Sequence, residues 1–214
     1  MDLILFGMQG SGKGTQSKFL AESCNLSVFE TGAELRRLAQ EDSELGQKVK
    51  TIIESGNLVP TQVVMEIIAD FVNKLPEGTF ALFDGIPRSE DQQIELDDIL
   101  EQAGRDFIGL NIEISEKEAV RRLTTRRICS KCKATYPAFY SKENCEECSG
   151  ELITRQDDTP DAIRTRLDTF LEKTVPVINN YKERGKMITI NGEQSIEDVT
   201  KDCTEALKND FECL

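Results

Sequence analysis

Residues 1 to 24 limit what this chain can fold into more than any other stretch. MDLILF is a short apolar run of buried-strand type, GMQGSGKGT follows it, and QSKFLAESC then repeats its apolar residues at helical spacing. Strand, glycine-rich loop and helix in that order build a phosphate cradle, because loop N–H groups and the positive helix start converge on one anion. Gly10, Ser11, Gly12, Lys13, Gly14 and Thr15 are therefore candidate phosphate ligands, with Lys13 reaching the terminal groups. The strict pattern places Ser or Thr directly after the lysine, whereas here Gly14 intervenes before Thr15.

Downstream, strands and helices alternate as in a parallel α/β sheet. FALFD (80–84), FIGLNIEI (107–114), MITIN (187–191) and the short SVFE (27–30) read as strands, the last followed by a helix capped by Thr31. Helices are expected at 116–127 and, as one long stretch, at 161–184. Two insertions interrupt the alternation: a helical segment of about thirty residues after SVFE, and a cysteine-bearing segment before Asp161. Asp84 closes its strand where parallel sheets keep their ligand crevice, a place for a magnesium-organising carboxylate as well as for a simple helix cap.

The cysteine segment, CSKCKATYPAFYSKENCEEC, carries Cys129, Cys132, Cys145 and Cys148 as two C-x2-C pairs, a spacing that supplies the four thiolates of structural zinc. The odd total of seven cysteines argues against a disulfide framework, and Cys24, Cys203 and Cys213 are expected to be ordinary buried or tail residues. The chain has no histidine, which excludes imidazole acid–base chemistry and histidine metal sites. With no signal-like N-terminus and no apolar run long enough to span a bilayer, a cytoplasmic protein without membrane contact is expected.

A formal charge of −13 opposes nucleic-acid binding, so a polyanionic ligand needs a local basic cluster. Arg36, Arg88, Arg122, Arg126, Arg155 and Arg166 flank expected loop and strand ends, and each planar guanidinium suits bidentate phosphate contact.

GMQGSGKGT, ETGAELRRL, FALFDGIPRSEDQ, RRLTTRRICSKC, TRQDD and AIRTRL occur in the order and spacing of adenylate kinases, and the chain from Leu3 to Leu207 resembles those members with a long zinc-bearing lid. The GKGT at Lys13 is itself similar to the family's pattern. The resemblance implies a P-loop three-layer α/β fold with a central five-stranded parallel sheet, a helical AMP-binding insertion and a zinc-ribbon-like lid. Its parts would be a core (1–29, 60–121 and 160–214), a nucleoside-monophosphate domain (30–59) and a lid (122–159). It implies ATP and AMP as substrates, ADP as product, Mg2+ with ATP, structural Zn2+, and a monomer.

By position, Gly10 to Thr15 would hold the ATP phosphates. Arg122 would stack on the ATP adenine, and Thr135, Tyr136 and Glu193 would complete that pocket. Thr31, Arg36, Asn57, Leu58, Val59, Gly85, Ile86, Pro87 and Arg88 would line the AMP site, Gln92 would read its adenine, and Asp84 would hold Mg2+ through water. Lys13, Arg88, Arg126, Arg155 and Arg166 would stabilise the transferred group, the last two also touching AMP. Four positions depart from the family pattern: Ala33 replaces an aspartate after Thr-Gly, Glu30 precedes that pair, Ile86 replaces an aromatic, and Gln9 replaces a common proline. Two other readings stay open: a kinase for UMP, CMP or GMP, and a zinc-ribbon binding module regulated by nucleotide.

Overall fold

The computed structural model describes residues 1–137, 140–155 and 158–211. Cys213, the end of the NDFECL tail and the centre of TRQDD lie outside the described residues. Two sheets hold the described strands. β5 (Arg127–Cys129), β6 (Thr135–Tyr136) and β7 (Leu152–Ile153) form a small antiparallel sheet in the order β6-β5-β7. β1 (Asp2–Phe6), β2 (Ser27–Glu30), β3 (Ala81–Asp84), β4 (Phe107–Glu113) and β8 (Met187–Asn191) form a parallel sheet in the order β2-β3-β1-β4-β8.

β1 lies at the centre and is buried from end to end. Alternation of side chains across a strand sends Leu3 and Leu5 to one face and Ile4 and Phe6 to the other, where they join separate cores. On the first face α1 (Lys13–Cys24) and α9 (Ile196–Leu207) contribute Leu20, Val199, Cys203 and Leu207. On the second, α4 (Thr61–Lys74), α5 (Glu90–Gln102), α7 (Pro160–Thr169) and α8 (Val175–Glu183) contribute residues such as Ile68, Leu96, Leu167 and Tyr181. Three layers follow directly from a strand buried on both faces. Its one carboxylate, Asp2, is buried and takes two hydrogen bonds of 2.7 Å from Arg105 and one of 2.8 Å from the Ala81 N–H, which ties β1 to its neighbours.

The segment after β2 forms α2 (Thr31–Leu38) and α3 (Glu44–Glu54), and α6 (Glu116–Thr125) leads into β5. Three expectations need correction. Thr31 is the first residue of α2, not its cap; Glu30 holds the cap position without a capping side-chain bond, and the buried Thr31 hydroxyl has no partner. The expected helix at 161–184 is two helices, α7 and α8, joined by a π-helical turn at Phe170–Thr174. Pro176, which lacks an N–H, opens α8 and favours a wider turn before it. Finally, Cys24 is disulfide-bonded, against the expectation of an unpaired buried thiol, whereas Cys203 is buried and free as expected.

Candidate functional site

β1 ends in the loop that the sequence marks as a phosphate cradle. Gly10 and Gly12 take φ of 86° and 97°, left-handed values that a side chain would strain, and Gly12 sits at the N-cap of α1. The loop closes on itself through the Ser11 N–H, which donates to the Met8 carbonyl at 3.0 Å. Lys13 folds back over the loop, its Nζ donating to the Gly7 carbonyl at 2.6 Å. Burial lowers its pKa to about 8, with the Asp84 carboxylate pulling the other way. The Ser11 hydroxyl oxygen is buried without a hydrogen-bond partner.

This loop floors a cleft of about 2340 Å³, several times the ~300–1,000 Å³ of a usual single-ligand pocket. Every residue expected to touch a nucleotide lines it: Gly10 to Thr15, Thr31, Arg36, Asn57, Leu58, Val59, Asp84, Gly85, Ile86, Arg88, Gln92, Arg122, Arg126, Thr135, Tyr136, Arg155, Arg166 and Glu193. The exception is Pro87, which follows a cis peptide from Ile86 and lines a small adjoining pocket with Lys13 and Arg88.

The basic groups are held by defined partners. Arg88 donates through Nε to the Gly85 carbonyl at 2.6 Å, and its own carbonyl accepts from the Thr174 hydroxyl at 2.9 Å, which gives the π-helical turn a place in the site. Its N–H donates to Gln92 Oε1 at 2.8 Å, so the carbonyl end of the Gln92 amide is engaged in fixing the turn. Arg122 spans three elements, donating to Glu118 of α6 at 2.6 Å, to the Gly192 carbonyl at 2.9 Å and to the Gly10 carbonyl at 3.3 Å. Glu193 accepts from the Ser115 N–H at 2.7 Å, which fixes the turn after β8 beside the start of α6.

Sequence reasoning gave no role to Asp158, yet its fully buried carboxylate organises two of the arginines. Arg126 donates to both its oxygens at 2.8 and 2.7 Å, and Arg166 Nη2 donates to Oδ1 at 2.7 Å. Burial lowers the pKa of Arg88 and of Arg126; neighbouring guanidiniums lower both further, and Asp84 and Asp158 respectively oppose the shift. Asp84, buried at the end of β3, is pushed the other way: burial raises its pKa, Lys13 lowers it and Glu30 raises it again. Asp84 and Thr15 line the same cleft, and oxygen donors of this kind fit hydrated Mg2+.

Cys129, Cys132, Cys145 and Cys148 bring their sulfurs within 4.8 Å of one another, with two pairs at 3.4 Å. Four sulfurs about 2.3 Å from a tetrahedral zinc stand about 3.8 Å apart, so this set fits the ion. Desolvation pushes the Cys129 thiol up, but N–H groups of Cys132 and Lys131 and the neighbouring sulfurs outweigh it and lower its pKa. Gly150 is needed beside it, since a Cβ there would come within 2.7 Å of Cys129 Sγ. Tyr136, expected toward ATP, lines the cleft but turns its hydroxyl to the cluster, 3.1 Å from Cys145 Sγ, and accepts from the Glu146 N–H.

A parallel sheet, a P-loop, two helical and β insertions over one cleft and a ring of guanidiniums define a P-loop nucleotide phosphotransferase. A family model described as adenylate kinase matches residues 5–186. The chain is 38% identical to the adenylate kinase of Methanocella arvoryzae over 97% of this chain and 99% of that protein. It is also 38% identical to that of Kosmotoga olearia, over 98% and 100%, and 35% identical to that of Acetivibrio thermocellus, over 97% and 98%. The chain belongs to the adenylate kinase family.

Proposed function

We propose that the chain transfers the γ-phosphoryl group of MgATP to AMP, reversibly, giving two ADP. One observation carries the reading: Lys13, Arg88, Arg126, Arg155 and Arg166 meet in a single cleft roomy enough for two nucleotides. Phosphoryl transfer passes through a loose transition state that needs positioning and charge neutralisation rather than a covalent nucleophile. A histidine-free site built from guanidiniums meets that need.

Gly10 to Thr15 receive the ATP phosphates and Lys13 the transferred group, while Arg122 stacks on the adenine. Thr135, Tyr136 and Glu193 close that side. Thr31, Arg36, Asn57, Leu58, Val59 and the Gly85–Arg88 turn receive AMP, with Gln92 against its base. Asp84 would hold Mg2+ through water, and the ion would supply charge neutralisation to the phosphates. Arg126, Arg155 and Arg166 close over the phosphates and exclude water, the competing acceptor. Division into a core, a monophosphate domain at 30–59 and a lid at 122–159 lets both insertions close on the core. Cys129, Cys132, Cys145 and Cys148 would hold zinc, which would fix a lid whose own core is small without restraining its hinges. A monomer suffices because one chain lines the whole cleft. The acidic charge disfavours nucleic acid, and a cytoplasmic setting belongs to the same reading; no described helix is long and apolar enough to cross a membrane.

The test is ADP formation from MgATP with AMP, GMP, CMP or UMP as acceptor, each against ATP alone. Rapid AMP-dependent turnover with little hydrolysis is expected. ATP loss indifferent to the acceptor would remove the AMP assignments.

A further inference from the structure

Glu30 ends β2 in register with Asp84 at the end of β3. Two acidic residues thus stand at neighbouring strand ends, on backbones about 4.8 Å apart across the sheet. Asp84 is buried, whereas Glu30 is half exposed and lines the cleft, with Oε1 3.1 Å from Arg36 Nη2. The guanidinium reaches it by folding back over the first turn of α2, so closely that a Cβ on Gly32 would meet Arg36 Nη1 at 3.0 Å. Ala33, on the same turn, offers no carboxylate of its own. An acidic partner of this arginine is therefore set on the sheet side, inside the cleft, where a phosphate would approach.

We propose that Glu30 sets the affinity of the phosphomonoester site: its carboxylate holds the Arg36 guanidinium, and AMP binds by exchanging its phosphate for that carboxylate. The proposal rests on the AMP-site reading given above. A phosphomonoester carries close to two negative charges at neutral pH, so it cannot share Arg36 with a carboxylate in contact without repulsion. A bidentate dianion displaces a single half-exposed carboxylate contact, and an uncharged nucleoside does not. Glu30 consequently lowers affinity for AMP and does so through the phosphate alone.

The test is calorimetric titration of the intact protein and of its Glu30→Gln variant with AMP and with adenosine, beside steady-state KM values for AMP and ATP. AMP should bind the variant about two- to fivefold more tightly, the range of an exposed ion pair. Adenosine affinity should stay within error, and Glu30→Gln should have no effect on AMP binding in an Arg36→Ala background. Weaker AMP binding by Glu30→Gln would overturn the proposal, showing that the carboxylate orients Arg36 productively. Weaker binding of MgATP with AMP unchanged would overturn it too, placing Glu30 with the metal. A wild-type protein that binds no AMP, with turnover indifferent to acceptor, would instead remove the AMP-site reading beneath it.

Discussion

Replacing Asp158 with asparagine tests whether the arginine ring is positioned or merely present. The side chain keeps its shape, but its charge is lost and two N–H donors replace an oxygen that receives a guanidinium. Three hydrogen bonds of 2.7 to 2.8 Å converge on Asp158, from Arg126 and Arg166, and the carboxylate is fully buried while the arginines are 16% and 10% exposed. Solvent therefore screens little. A hydrogen bond to a charged group contributes about 1.5–3 kcal/mol, and removing one member of a buried pair costs about 3–5 kcal/mol. If about 3 kcal/mol of this appears in the barrier because Arg126 and Arg166 are no longer held, kcat falls by roughly 10²-fold at about 1.4 kcal/mol per decade. The assay is steady-state ADP formation with both KM values, beside thermal unfolding and circular dichroism. A folded Asp158→Asn protein with kcat within twofold of the parent would refute the claim that this carboxylate positions the phosphate-binding arginines.

Lys13 should give kcat/KM for ATP an alkaline limb near pH 8, where the free enzyme loses the ammonium that burial has weakened. Stability runs the opposite way: the folded pKa is below the unfolded one, so the unfolded chain binds more protons between about 8 and 10.5, and Lys13 adds stability as pH rises through that window. Cys129→Ser should release zinc, detected with a chromogenic chelator, and lower Tm while the folded protein keeps its chemistry; full loss of activity in a folded protein would make the metal more than structural. Arg88→Lys should cost turnover and bring a new alkaline limb to the pH–rate profile, because the burial that lowers Arg88 would act on an ammonium that starts about two pKa units lower. Asp2→Ala should destabilise by about 3–5 kcal/mol by stranding Arg105, visible as a drop in Tm with little change in kcat.

What the sequence made legible was whatever depends on local spacing. The P-loop needs a strand, three glycines and a lysine within fifteen residues, and the zinc set needs two short turns; both stand where the pattern puts them. MITIN and SVFE fall on β8 and β2 without a residue's error. The misses are relations across the chain. Asp158 looks like one acid among 39 Asp and Glu residues until folding brings Arg126 and Arg166 to it. Cys24 has no spacing that announces a bond. Thr31 resembles a cap because its chemistry suits one, but strand pairing carries Glu30 to the end of β2 and starts the helix at once. Pro176 was the available signal for the break between α7 and α8, since an interior proline removes a helix hydrogen bond.

The choice of cation follows from the crowding that catalysis demands. Lys13, Arg88, Arg126, Arg155 and Arg166 line one cleft, where the proposed function has them face one phosphate chain, and burial there lowers the proton affinity of Lys13, Arg88 and Arg126. A lysine starting near 10.5 is brought by this to about 8, within reach of losing its charge. A guanidinium starts above 12 and stays charged through the same depression. Four arginines around one lysine is thus the arrangement in which charge survives its own concentration. Asp84 and Asp158 serve the same end from inside, each set against a cation rather than against solvent. Glu30 differs: it is half exposed and paired with Arg36, the one carboxylate among these three that the proposed exchange lets an incoming phosphate move.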